Sequence, residues 1–317
     1  MDDNKKLLVC IDGSYWLYFT AFGAVAEFQR SNASLASIWI KPIEECDQSN
    51  LPNLVNCEEF KVVLKKMAMK RLETIEWIVK SNLQDQVDMA SGIDFLFAMD
   101  DRVSYSFRKK LYPEYKAQRA LVKKSFQVQP IKDYIVNVLF KELNVEDDYN
   151  FKLVKVEGAE GDDVIATAYN KLKDKYLDVV LIASDHDYLQ LDGLHVFNLF
   201  GQEAKREIAD EEVSASDYLL GKILMGDKSD NIKQVFARCG PKTALKLLKD
   251  KESLKTMLKE SHDAASRYLL NKKIISFSNI PEDLENAIFE KLNRALIYDG
   301  NKAMNEVTID LKDFMTL

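Results

Sequence analysis

The sequence predicts an α/β fold built on a twisted, mostly parallel sheet, joined to a helical second half. Three observations carry that expectation. The apolar runs at residues 7–11, 93–99 and 179–183 have the length of buried strands, and each stops at carboxylates. Amphipathic stretches with helical spacing lie between them, the alternation that builds a parallel sheet. From Asp210 onward the strand-like runs give way to helical ones.

Residues 7–11 (Leu-Leu-Val-Cys-Ile) end at Asp12-Gly13-Ser14, and Ser14 is expected to cap a helix over 15–27. Residues 30–57 hold Ser, Asn, Pro and two cysteines without a period and read as an irregular insertion. A long amphipathic helix over 58–82 follows, with Val62, Val63, Met67, Met69, Leu72, Ile75, Ile78 and Val79 as core positions. The strand at 93–99 ends on Asp100 and Asp101. A helix over 129–143 and a strand over 151–156 lead to the turn Glu160-Gly161-Asp162-Asp163. A helix over 164–176 and the strand at 179–183 deliver the chain to Ser184-Asp185-His186-Asp187, and 195–199 reads as a further strand. A helix over 210–225 ends at Gly226-Asp227-Lys228-Ser229-Asp230-Asn231. Pro241 suits the first turn of a helix over 243–249, and helices over 254–259 and 264–271 come after it. No linker rich in Gly, Pro or Ser separates the halves. A core over 1–205, with a basic segment at 101–128, is therefore expected to interleave with a helical lobe over 206–300, leaving a tail at 301–317.

At 47% hydrophobic and 30% charged, the 317-residue chain is ordinary for a soluble globular protein. Cys10, Cys46, Cys57 and Cys239 form no Cys-x-x-Cys pair and have no histidine at zinc spacing, so reduced thiols are expected. Only five apolar residues follow Met-Asp-Asp-Asn-Lys-Lys before Asp12, too few for a signal peptide, and no apolar run approaches the roughly 18 residues of a membrane span. A soluble, cytoplasmic protein without a membrane partner is the expectation.

The net charge of −7 argues against a nucleic-acid partner only until its pattern is read. Residues 102–124 carry Arg102, Arg108, Lys109, Lys110, Lys116, Arg119, Lys123 and Lys124 against the single acid Glu114, and a second lysine series runs from Lys242 to Lys259. The acids concentrate at strand ends, where ligands of open α/β sheets bind. Glu160, Asp162, Asp163, Asp185 and Asp187 would repel one another in a cleft unless divalent cations neutralised them. The plainer reading makes them solvated turn acids and helix caps.

Four ordered motifs then resemble one family, the 5′-nucleases, which include flap endonucleases and the nuclease domain of bacterial DNA polymerase I; the phage ribonuclease H branch is most similar. Gly-Ala-Glu160-Gly161-Asp162-Asp163 resembles the family's Glu-Ala-Asp-Asp, with Gly161 in place of alanine. Ser184-Asp185-His186-Asp187 resembles its Ser-x-Asp-x-Asp strand end. Tyr115-Lys116-Ala117-Gln118-Arg119, preceded by Arg108, resembles its basic arch. Gly226-Asp227-Lys228-Ser229-Asp230-Asn231 resembles the entry to its helix-three-turn-helix. The family hairpin often reads Gly-x-Gly, and Arg238-Cys239-Gly240 keeps only the second glycine.

The resemblance implies a PIN/resolvase-like sheet with an interleaved helix-three-turn-helix lobe. It implies a Mg²⁺-dependent 5′→3′ exonuclease or flap endonuclease of ribonuclease H type, with two metal sites and Mn²⁺ able to substitute. Asp12, Asp100, Asp163 and Asp185 would hold one ion, with Glu160 and Asp162 near or through water; Asp187, Asp227 and Asp230 would hold the second. Asp101 competes with Asp100 for the second-strand position. Arg108 and Lys116 would act on the scissile phosphate, with Arg119 beside them. Tyr115, like Tyr112, either stacks on a base or packs the arch. Gly240, Lys242, Thr243 and Lys246 would meet duplex phosphates at a helix N-terminus. His186 is expected to be a bystander. The implied partners are DNA and RNA–DNA duplexes with 5′ ends or flaps, with single-strand-binding protein and a sliding clamp as further candidates, and the protein is expected to be a monomer, in host cytoplasm if phage-encoded. The tail ending in Leu317 reads as a strand or packed segment, or else as a clamp-binding peptide. A non-catalytic structure-specific DNA-binding protein and a PIN-type ribonuclease are the alternatives.

Overall fold

The computed structural model describes residues 5–40, 53–121, 126–146 and 151–296. Its strands are β1 (Leu7–Asp12), β2 (Ile93–Met99), β3 (Phe151–Lys155), β4 (Asp178–Ile182), β5 (His195–Phe197), β6 (Glu207–Ile208) and β7 (Glu211–Glu212). Its α-helices are α1 (Gly13–Ser31), α2 (Ala33–Trp39), α3 (Glu58–Asn82), α4 (Gln84–Met89), α5 (Phe107–Leu111), α6 (Val128–Tyr134), α7 (Phe140–Glu146), α8 (Gly161–Leu172), α9 (Ala215–Met225), α10 (Pro241–Lys249), α11 (Lys251–Glu260), α12 (His262–Ile275) and α13 (Glu282–Leu296).

Five strands form one parallel sheet in the order β3-β2-β1-β4-β5, so the expected mostly parallel α/β fold is what the chain adopts. Alternation sorts its side chains. Leu7, Val9 and Ile11 face a core built with α1, α3, α6 and α7, while Leu8 and Cys10 face a core built with α8 and α13. Both faces are covered, which explains why the strands read as continuous apolar runs. β1 lies at the centre, with β2 on one side and β4 on the other; the chain changes sides after β3, which puts the switch point of the sheet beyond the carboxyl end of β1, at Asp12.

Several local readings change. Asp12, not Ser14, caps α1, its Oδ1 accepting from the Tyr15 N–H at 2.9 Å, and Ser14 donates instead to Asp100. The buried stripe of α3 is Phe60, Leu64, Ala68, Leu72, Ile75, Ile78 and Val79. Val63, Met67 and Met69 flank it and Val62 is exposed, because the i, i+4 steps start from Phe60. The stretch read as irregular contains α2; residues 41–52, like the tail at 301–317, lie outside the described residues. The start of the expected 210–225 helix is instead a β6–β7 hairpin, turned by Ala209 and Asp210 at φ 51° and 64°, values that suit a type I′ turn. α8 begins three residues earlier than expected, which places the acidic turn on the helix itself.

Among the described residues, no helix is long and apolar enough to cross a membrane.

Candidate metal centre

Three strand ends deliver the first carboxylates. Asp12 closes β1, and its Oδ2 also accepts from the buried Tyr188 hydroxyl at 3.4 Å. Asp100 follows β2 and accepts from Ser14 and from the Gly161 N–H at 2.7 Å. Asp185 follows β4 and accepts from the Asp187 N–H at 2.9 Å. Asp101 turns the other way, toward the Gly158 N–H at 2.9 Å and Lys155 at 3.3 Å. Gly161 lets these pieces meet: a Cβ there would lie 3.0 Å from the Ala98 carbonyl oxygen and 3.1 Å from Asp100 Oδ1, a reason for glycine where alanine was expected.

The acidic turn supplies the rest of this group. Glu160 is the N-cap of α8, with Asp162 and Asp163 in its first turn, where the helix dipole favours negative charge. One oxygen from each of the three lies within 4.8 Å of the others. Their surroundings are basic. Arg108 is 2% exposed, and its Nη1 donates to Glu160 Oε2 at 3.2 Å and to Asp163 Oδ2 at 2.9 Å. Nη2 lies 2.7 Å from Asp163 Oδ1, and Nε donates to the Ile274 carbonyl of α12 at 2.9 Å. The guanidinium is thus spent inside the molecule, with no surface open to a phosphate in this arrangement. Tyr115 is likewise 2% exposed and donates to Glu160 Oε2 at 2.9 Å, so it packs and offers no ring face to a base. Lys116 sits at φ 54°, a left-handed backbone that suits functional strain, and directs its ammonium to Glu160 Oε1 at 3.0 Å and Asp230 Oδ2 at 3.8 Å. Arg119 stays 55% exposed and meets Asp230 Oδ1 at 2.7 Å.

The second group forms where the loop after α9 meets this basic segment. Asn231 donates to the Glu114 carbonyl, Gln118 donates to the Lys228 and Ser229 carbonyls, and the Lys116 N–H donates to Asp230. Gly226 starts the loop at φ 64° with its Cα against Ile232 and Lys233 backbone, a place only glycine fits. Asp227 accepts from the Ser229 N–H at 2.7 Å. Lys222, a residue the sequence reading passed over, lies 2.7 Å from Asp187 Oδ1 and donates to Asp227 Oδ2 at 2.8 Å. Its only signal was a lone cation inside the apolar run of α9. His186 stays exposed beside these acids.

Farther out, Gly240 caps α10, whose Ala244, Leu245, Leu247 and Leu248 are buried while Lys242, Thr243 and Lys246 face outward. Arg238, where the family hairpin often has glycine, holds a left-handed backbone at φ 59°. A cleft of about 650 Å³ opens between this hairpin and the start of α12, past Phe236 and Arg267, and is not lined by the clustered carboxylates.

Crowded acids hold their protons. Burial, then Asp100, pushes Asp12 from 3.8 to about 7. Burial and Asp162 push Glu160 from 4.5 to about 7 against Lys116 and Arg108, and burial and Asp185 push Asp187 from 3.8 to about 6 against Lys222. Desolvation also raises Asp163, Asp185 and Asp230, although Asp185 keeps an open face. Partial burial works the same way on Asp227, but Lys222 and Ser229 outweigh it and hold that group below its usual value. Where the folded pKa is raised, the folded state keeps protons that the unfolded chain releases, so stability falls as pH rises, here from about 4 to about 7. In EDTA the melting temperature should therefore drop between pH 5 and pH 8, and saturating Mg²⁺ should restore most of it at pH 8. A metal-free melting temperature that climbs over that range would refute the repulsion described here.

The donor set suits a hard divalent cation. All donors are carboxylate oxygens, and Asp162 Oδ1 is buried without a hydrogen-bond partner, its nearest cation being Arg108 Nη1 at 3.9 Å.

Fold and site together define a PIN-like α/β protein with a carboxylate centre at its strand ends. Residues 72–217 match the family model described as the 5′-3′ exonuclease N-terminal resolvase-like domain. The 5′-3′ exonuclease of Buchnera aphidicola subsp. Schizaphis graminum is 27% identical over 263 residues, 80% of this chain and 74% of that protein. DNA polymerase I of Caldicellulosiruptor bescii is 33% identical over 175 residues, 51% of this chain but only 19% of the polymerase. A bacteriophage T5 protein co-crystallised with metal ions superposes with a TM-score of 0.57 at 16% identity, covering 92% of this chain and 100% of that one, a likeness of fold. Over residues 72–217 the chain is thus similar to the 5′-nuclease family.

Proposed function

We propose that the protein is a divalent-metal-dependent 5′-nuclease that hydrolyses phosphodiesters at 5′ ends or flaps of DNA and RNA–DNA duplexes, with Mg²⁺ as the working ion and Mn²⁺ able to replace it. The observation that supports this best is the convergence of Asp12, Asp100 and Asp185, from three strand ends, with the acidic turn of α8. The flap endonuclease of bacteriophage T5, solved as a pseudo-enzyme–product complex with DNA and metal ions, has the same fold, with a TM-score of 0.56 at 16% identity.

Asp12, Asp100, Glu160, Asp162, Asp163 and Asp185 would hold one ion, and Asp187, Asp227 and Asp230 the other. Bound ions would activate water, polarise the phosphorus and stabilise the leaving oxygen. Lys116 and Arg119 both meet Asp230, and Arg119, whose side chain is 55% exposed, would turn from it to a phosphate. Arg108 keeps Glu160 and Asp163 in place from behind. The half-buried Gly240 and the exposed Lys242, Thr243 and Lys246 at the start of α10 would take duplex phosphates, where backbone N–H groups and lysines act together. On this reading residues 1–205 perform the chemistry and 206–300 hold the duplex, in a cytoplasmic monomer serving replication and repair, with single-strand-binding protein and a sliding clamp as candidate partners.

Labelled duplexes with a 5′ DNA flap, a 5′ RNA flap or a plain 5′ end should be cleaved in Mg²⁺ and spared in EDTA. Binding without cleavage in both buffers would instead mark a non-catalytic DNA-binding protein.

A further inference from the structure

We infer that Lys222 is an internal counter-ion that holds Asp187 and Asp227 together until a second divalent ion takes its place. This rests on the metal-centre reading above and adds a residue that sets how readily the second site fills.

Asp187 and Asp227 come from different elements, the turn after β4 and the loop after α9, and the lysine ammonium bridges them at 2.7 and 2.8 Å. The other oxygen of Asp227 accepts from the Ser229 N–H and hydroxyl, which leaves Oδ2 facing Lys222. The internal cations of the centre differ in kind. Arg108 is fully enclosed, with Nε, Nη1 and Nη2 all engaged, so it is a fixed part of the wall. Lys222 keeps a 17% exposed side chain on a flexible four-carbon stem and can withdraw. A divalent ion and the ammonium cannot share the same carboxylate oxygens without strong like-charge repulsion, so one must leave. The lysine therefore stabilises the metal-free arrangement and weakens the second ion by the cost of its own displacement. The first group has no ion pair with Lys222, which reaches it only through its charge at Asp185, so it should respond far less.

Mn²⁺ binding to the full chain, followed by electron paramagnetic resonance, separates the consequences. The wild type should show a tight and a weak class of site. Lys222→Gln should tighten the weak class by about tenfold, within the usual range for a coupling between two sites, and move the tight class far less. Lys222→Arg, which restores a cation, should return the weak class to the wild-type value. Lys222→Met gives the same comparison if the glutamine variant melts early. A weak class that is unchanged or weaker in both neutral variants overturns the inference while leaving the metal centre intact. A wild type that binds no Mn²⁺ overturns both.

Discussion

Asp12→Asn and Asp185→Asn should each lose at least ~10²–10³-fold in single-turnover cleavage and still fold, a loss of the size seen when one charge-stabilising group is removed from an active site. Asparagine keeps the shape of each carboxylate, and at Asp12 its carbonyl oxygen can still accept from the Tyr15 N–H that starts α1. What disappears is the charge. In the absence of metal that charge is a burden: Asp12 is pushed up to about 7 because burial and Asp100 both disfavour its ionised form. The Asp12→Asn protein should thus melt no lower than wild type in EDTA at pH 8, and higher if repulsion dominates, while its response to Mg²⁺ shrinks. Activity and stability move in opposite directions, which a simple folding defect would not produce. Cleavage within a fewfold of wild type in both variants would remove these residues from the centre.

Arg108→Ala should be the most damaging single change to folding, costing roughly 3–5 kcal/mol in a urea titration, the range for removing one partner of a buried ion pair. It strands Glu160 and Asp163, 2% and 0% exposed, without their shared counter-charge, and it frees the Ile274 carbonyl. Arg108→Lys should recover part of the loss, since one ammonium can meet a carboxylate but cannot reproduce the three-way fork. A drop below ~1 kcal/mol, typical of a surface pair, would mean that Arg108 is not the internal anchor it appears as in the structure.

Much of this was legible in the chain itself, because buried parallel strands announce themselves. The runs at 7–11, 93–99 and 179–183 became β1, β2 and β4, and the acids at their ends converge as parallel geometry demands. Legibility failed where the outcome depended on partners far away in sequence. Arg108 looked like a surface phosphate contact because nothing local shows that Glu160, Asp163 and Ile274 enclose it. Tyr115 left stacking and packing open for the same reason, and Lys222 drew no notice because its two acids lie on separate elements. Element ends shifted for local reasons too weak to read in advance. Asp12 outcompeted Ser14 as a cap, and a turn of Ala209 and Asp210 formed without the glycine that usually marks it. α13 was passed over although Ile288, Leu292 and Leu296 repeat at helical spacing.

The place of β1 at the centre of the sheet also bears on how the chain is made. This strand is synthesised before the other four strands of its sheet, and every one of Leu7, Leu8, Val9, Cys10 and Ile11 ends up buried. Yet Leu7 pairs with Ile93 on one side and with Asp178 on the other. At ~5–20 residues per second, its second neighbour is synthesised roughly 10–30 s after it. For that interval one edge of a strand that ends up enclosed waits for its partner. Assembly of the clustered carboxylates has the same timetable, since Asp12 cannot meet Asp185 before β4 arrives.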